Sequence, residues 1–170
     1  MRRSLDEFLE QVARRGSWVG GGSVAALGAA LSAALLEKLV TRPAQGRTLR
    51  RLRRACVALI DADAETFSRV IQAMRRNDHT AFRRALKRAT DVPRHVFESA
   101  AAVQTACHAA RRAINPRFQS DLRCAEALAG ASCVAARALI QTNLTWLKDP
   151  AYARATQRRL AAALRKVTGR

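Results

Sequence analysis

Aromatic residues are scarce in this chain, Phe, Trp and Tyr together making up 5% of its 170 residues. The apolar content, 49% overall, rests largely on alanine, which suits closely packed helices better than the β-branched and aromatic strands of a sandwich. The same scarcity leaves no stacking platform for nucleic acid, and neither a helix-turn-helix spacing nor a zinc finger is visible, so a nucleic-acid partner is not expected. The four cysteines, Cys56, Cys107, Cys124 and Cys133, contain no C-x-x-C pair, and His79, His95 and His108 form no ligand motif with them; no metal is implied. Cys56, Cys107 and Cys133 fall on or beside helical apolar faces, where a reduced thiol acts as a small hydrophobe, so the cytoplasm is the expected compartment. Repeats, low-complexity tracts and linkers are also missing. At 18.6 kDa residues 1–170 therefore read as a single domain, able to bury a core without disulfides. The last deficit is of acids: 13 Asp+Glu stand against 31 Lys+Arg, a formal charge of +18, which attracts anions of any kind.

What the chain does have is a glycine turn, Gly20-Gly21-Gly22-Ser23, that opens directly into an apolar run with Val24, Leu27, Leu31 and Leu35 at the spacing of one helical face. Free amides at such a helix start can take a phosphate or carboxylate; equally, the small residues Gly28, Ala29, Ser32 and Ala33 can let another helix approach closely. Trp18 to Leu36 carries no charge and is about long enough to span a bilayer. It is, however, rich in Gly, Ala and Ser and follows an amphipathic segment, so a buried core helix and no membrane partner are expected.

Around this run the periodicity predicts an all-α protein, an antiparallel bundle of about five to seven helices. Ser4 and Glu7 form a capping box for a short helix to Arg15. A long helix from Ser23 to about Thr41 is expected to stop at Pro43 and Gly46, and a second to run from about Thr48 to Arg76. Thr80 to Ala89 reads as a short helix, Asp91-Val92-Pro93 as the start of another, and Ser120 as the cap of a helix reaching Leu147. Asp149-Pro150 then starts a last helix to about Val167.

Two polar residues stand on apolar stripes. Stepping about 100° per residue from Leu52 places Leu59, Ile60, Phe67, Val70, Ile71 and Met74 on one face with Asp63 near its centre, whereas Asp61 points almost the opposite way. A carboxylate there needs an ion-pair partner or a task, and burial raises its pKa toward values useful to a general acid or base. On the helix ending at Leu147, Asn143 likewise interrupts an apolar stripe.

Gly20-Gly21-Gly22-Ser23-Val24-Ala25-Ala26-Leu27, Asp61-Ala62-Asp63-Ala64-Glu65-Thr66-Phe67, Ala89-Thr90-Asp91-Val92-Pro93, and Asn115-Pro116 through Ser120-Asp121 occur in this order. In this the chain resembles the formiminotransferase-cyclodeaminase family from Ser4 to about Val167. The resemblance implies an all-α dimer that binds a folate near the glycine turn and opens or closes its one-carbon bridge. It further implies that Gly20, Gly21, Gly22 and Ser23 line the folate cleft, that Asp63, with Asp61 as second choice, is the catalytic carboxylate, that Ser120 and Asp121 sit at the rim, and that Asn143 faces the pocket. The chain departs from the family pattern at Val19, where proline is usual, at Leu139, where asparagine is usual, and in a shorter connection between the first two long helices.

The function expected on these grounds is that of a cyclodeaminase or cyclohydrolase acting on a formimino- or methenyl-tetrahydrofolate. The competing expectation is a catalytically silent helical binding protein that presents a basic surface to an acidic partner or nucleic acid. A symmetric homodimer through the first long helix is expected, with Gly28, Ala29, Ser32 and Ala33 as the approach surface.

Overall fold

A computed structural model describes residues 4–168 as six α-helices joined by short turns, with no strand among them. The short α1 (Leu5–Ala13) is opened by the expected capping box: Ser4 Oγ accepts from the Glu7 amide and the Glu7 carboxylate accepts from the Ser4 amide. Then come α2 (Gly21–Leu39), α3 (Pro43–Arg75), α4 (His79–Ala110), a single 3-10 turn (Pro116–Phe118), α5 (Gln119–Leu147) and α6 (Pro150–Thr168).

The central helix is α2, which packs against α3, α4 and α5. A helix with three neighbours must let their axes come close, and it does so with its smallest residues: Ala25, Ala26, Ala29, Ala30 and Ala33 are buried, with Ser23 and Ser32 fully enclosed. Ser32 Oγ donates to the Ala125 carbonyl on α5 at 2.6 Å, and a Cβ on Gly28 would lie 2.7 Å from Ser132 Oγ. The face predicted from Val24, Leu27, Leu31 and Leu35 is thus the outer one, with Val24 44% and Leu31 50% exposed. By length and composition α2 could span a membrane, but its small-residue side is core.

Several predicted boundaries move, each for an identifiable reason. Pro43 does not stop a helix but begins α3, at the position where its missing amide has no intrahelical acceptor to lose; Gly46 sits inside the first turns of α3. Ser120 is not a cap, because the 3-10 turn leads straight into α5 with Phe118 at the N-cap. The two helices expected on either side of Thr90 are one, α4, with Pro93 inside it. Proline has no amide for the carbonyl four residues back, that of Ala89, and Asn143 Nδ2 donates to that carbonyl at 3.0 Å from α5. Phe67 and Met74 leave the predicted core stripe, 46% and 44% exposed; α2 begins level with Asp63, and beyond it α3 is covered on its inner side by α4 through Val70 and Ala73.

On the far side of α4, buried Arg94 pairs with Asp91 and Glu98. Tyr152 Oη lies 3.1 Å from Asp91 Oδ1 and 3.0 Å from the Lys87 carbonyl, either of which can accept its one proton, fastening α6 to α4. Cys56, Cys107 and Cys133 are buried as expected, and loss of water pushes the thiols of Cys107 and Cys133 up to about 12 and about 11.

Candidate functional site

The glycine turn delivers the N-terminus of α2 to the middle of α3. Gly20, at the N-cap, has no side chain with which to satisfy the first amides of the helix. Asp63 reaches across from α3 instead: its Oδ2 accepts from the Ser23 amide at 2.9 Å and lies 3.2 Å from Ser23 Oγ. The Ser23 hydroxyl is also 2.9 Å from the Ile60 carbonyl, to which its one proton can go. The carboxylate comes this close because Gly22 has no Cβ; a Cβ there would stand 2.0 Å from Asp63 Oδ1.

Asp63 is half-buried, and no Lys or Arg lies within 4.0 Å of it among the described residues. The structural ion pair that its position allowed is therefore replaced by a cap on another helix. Burial raises its pKa, and the hydrogen bonds from the Ser23 hydroxyl and amide oppose the rise without cancelling it. The helix-start amides favour the anion and the loss of water the neutral acid, and the loss of water prevails, so the carboxyl holds its proton more tightly than an ordinary aspartate.

The other predicted residues divide. Gly21 lies on this junction next to Leu139 of α5, 3.8 Å from where its Cβ would be, and Asn143, one turn further along α5, holds the Ala89 carbonyl. Ser120 and Asp121 are elsewhere. Asp121 pairs with Lys38 at 3.4 Å near the other end of α2, about 25 Å from Gly21 at about 1.5 Å per helical residue. Within one chain the structure does not bring them to the glycine turn.

Asp61 is exposed and, as the stripe geometry requires, faces away from Asp63. It borders a cleft of about 960 Å³ between α1, the segment before the glycines and α3, whose walls include Phe8, Trp18, Val19, Leu27 and Ile60. Trp18 packs edge-on against Phe67 at its side, ring centroids 6.2 Å apart. The sequence reading missed this cleft; the signal for it was the amphipathic α1 with exposed Leu5 and Leu9. Among the described residues no group of three or more His, Cys, Asp or Glu converges as a metal site would require.

The family model for formiminotransferase-cyclodeaminase matches residues 4–162. The chain belongs to that family. It is 28% identical over 187 residues to the mouse formimidoyltransferase-cyclodeaminase, covering 96% of this chain and 34% of that protein, so it spans about a third of the length of the curated relative it matches. The crystal structure of formiminotetrahydrofolate cyclodeaminase from Thermotoga maritima superposes with a TM-score of 0.91 over 99% of this chain and 91% of that one, at 24% identity. The bundle of this family member is thus shared with a solved fold from end to end.

Proposed function

We propose that this family member acts on a one-carbon-substituted tetrahydrofolate, as a cyclodeaminase on the formimino form or a cyclohydrolase on the methenyl form. In the first reaction a neighbouring folate nitrogen attacks the formimino carbon and ammonia leaves; in the second, water adds to the methenyl carbon and the ring opens. Both need one group to move a proton and a site that orients the pterin. The observation that carries the reading is Asp63: a desolvated carboxylate with a raised pKa, held against the Ser23 amide at a glycine-lined helix start. Gly20 and Gly21 offer backbone to the pterin, Gly22 and Ser23 hold Asp63 in place, Asp63 accepts the proton, and Asn143 has its Oδ1 to offer while its amide nitrogen serves Ala89.

A second reading keeps the folate and moves it. The cleft of about 960 Å³ lies within the range of small-molecule sites, about 300–1,000 Å³, and has Asp61 and Glu65 on its border; there Asp61 takes the proton. Asp63→Asn decides between the two. Asparagine keeps an oxygen for the Ser23 amide and removes the proton acceptor, so turnover should fall by about a hundredfold to ten-thousandfold with folate affinity little changed, whereas Asp61→Asn should alter turnover far less. The reverse pattern would move the chemistry to the cleft. No turnover in the parent chain would leave the silent binding protein, and turnover intact in both variants would remove both carboxylates from the chemistry.

The folate enzyme is proposed as a cytoplasmic homodimer. The support for pairing is the outer face of α2, with Val24 and Leu31 exposed in a helix free of charge from Gly21 to Leu36. The small residues Gly28, Ala29, Ser32 and Ala33, expected to receive the second subunit, are engaged within the chain instead. A two-fold pair through the leucine face with its axis perpendicular to α2 sets the two α2 helices antiparallel, which carries the Ser120–Asp121 end of each protomer toward the glycine turn of the other.

A further inference from the structure

The turn between α3 and α4 is tight: Arg76 caps α3, Asn77 takes a left-handed conformation at φ 51°, and Asp78 caps α4 by accepting from the Ala81 amide at 2.8 Å. So short a connection sets the last turns of α3 antiparallel to the first turns of α4. Two rows of arginines then face one another, Arg69 and Arg76 seven residues apart on α3 and Arg84 and Arg88 four apart on α4. Between them Ala73, Ala81 and Ala85 are too small to fill the groove, and a cavity of about 190 Å³ remains, completed by Thr66, Gln72 and Asp78.

Arg69 is paired with Glu65. Arg76, Arg84 and Arg88 have no carboxylate within 4.0 Å among the described residues, and the one acid on the wall, Asp78, is engaged with the Ala81 amide. One carboxylate oxygen pair is matched by a single guanidinium fork, whereas three unpaired forks around a small cavity match a group with more oxygens and more than one charge. The cavity is smaller than the roughly 300 Å³ at which sites for drug-sized ligands begin, so the group it takes is compact.

We propose that this pocket is an oxyanion site that binds a phosphate or pyrophosphate group of a small molecule, separate from the residues assigned above to folate. The unpaired guanidinium groups of Arg76, Arg84 and Arg88 contribute charge and bidentate donors, while Arg69, held by Glu65, completes the wall.

Calorimetric titration of the full chain with inorganic pyrophosphate at about 150 mM salt tests it, at an ionic strength that screens diffuse surface attraction. Saturable binding of one pyrophosphate per chain is expected, weakened at least tenfold by Arg84→Ala with Arg88→Ala. It should be unchanged by Arg51→Ala with Arg54→Ala, which removes the same charge from exposed positions elsewhere on α3. Arg84→Lys with Arg88→Lys should also weaken binding, because the charge stays and the forks go. Circular dichroism confirms that each variant is folded. Absence of saturation, or equal loss in the Arg51/Arg54 control, would overturn the site. A single-stranded oligonucleotide that binds more tightly than pyrophosphate and displaces it would assign the arginines to a nucleic-acid strand and overturn the small-molecule ligand.

Discussion

Gly22 and Asp63 share one space: a Cβ on the glycine would lie 2.0 Å from Oδ1 and 2.4 Å from Cγ of the aspartate. A glycine usually read as giving freedom to a turn is here, inside the first turn of α2, a hole into which a carboxylate from α3 is fitted. This explains why the motif on α2 and the motif on α3, forty residues apart, belong to one device.

Gly22→Ala therefore acts on Asp63 before it acts on the fold. The three atoms nearest the new methyl all belong to the end of one side chain, which can swing aside, and alanine suits a helix better than glycine. The loss of stability should stay at about 1–2 kcal/mol, while the carboxylate leaves the Ser23 amide and folate turnover drops by about a hundredfold. Gly20→Ala, with nothing within 4 Å of its Cβ and an extended backbone, is the control and should cost little of either. Chemical denaturation and turnover measured side by side check both; equal turnover in the two variants would detach Gly22 from the site.

Acid should reveal Asp63 in two ways. Its pKa is raised in the fold by burial, so folding favours the protonated form. The resulting penalty on stability is absent below the unfolded aspartate pKa and complete above the folded one. The advantage of Asp63→Asn over the parent should accordingly grow as pH rises through that window and then level off. Turnover runs the other way: a base must be ionised, so kcat/KM should fall on the acid side with a midpoint above the ordinary aspartate range, and Asp63→Asn should erase that limb. A carbon-13 titration of the carboxyl groups locates the midpoint directly; an Asp63 signal titrating at or below the ordinary value would contradict the assignment.

The bundle was legible because its helices are long and their apolar positions recur at the helical period. Asp63 was legible because a charge on such a stripe is conspicuous. What escaped depends on neighbours far along the chain. Pro93 reads as a helix start, and nothing near it says that Asn143, fifty residues on, supplies the donor that proline lacks. The two faces along the first turns of α2 were read inside out: leucine marks the core of a helix that touches one neighbour, but α2 touches three and turns mostly alanine and serine inward, with Leu36 and Leu39 joining them toward its end. The arginine pocket was invisible because it is made by the tightness of the α3–α4 turn, which brings together rows that look in sequence like ordinary solvated faces.

Asn143 and Pro93 form a pair that thermodynamics can separate from function. Asn143→Ala strips the Ala89 carbonyl, in a buried position, of its donor and should cost about 1–3 kcal/mol. Pro93→Ala restores a backbone amide four residues on, so the same Asn143→Ala change made in that background should cost clearly less. Urea unfolding of the four proteins gives the coupling. Additive losses would mean that Asn143 does not stand in for the missing amide.

The last prediction concerns what covers Leu31. It is 50% exposed on a helix whose other side is core, and Val24, two turns earlier, is 44% exposed. A carboxylate at that position would remain hydrated in a monomer, where Leu31→Glu should change stability by no more than about 0.5 kcal/mol, as surface substitutions do. In a two-fold pair the helices cross where the axis passes, so each subunit would bring its glutamate to the same interface, burying two like charges that have no partner. Sedimentation at micromolar concentration should thus show a dimer for the parent chain and a monomer for Leu31→Glu, with circular dichroism unchanged. If Ser120 and Asp121 meet the glycine turn only across that interface, folate turnover should fall with the dimer and return as concentration drives reassociation. A parent chain that sediments as a monomer, or a Leu31→Glu dimer as tight as the parent, would place the contact elsewhere.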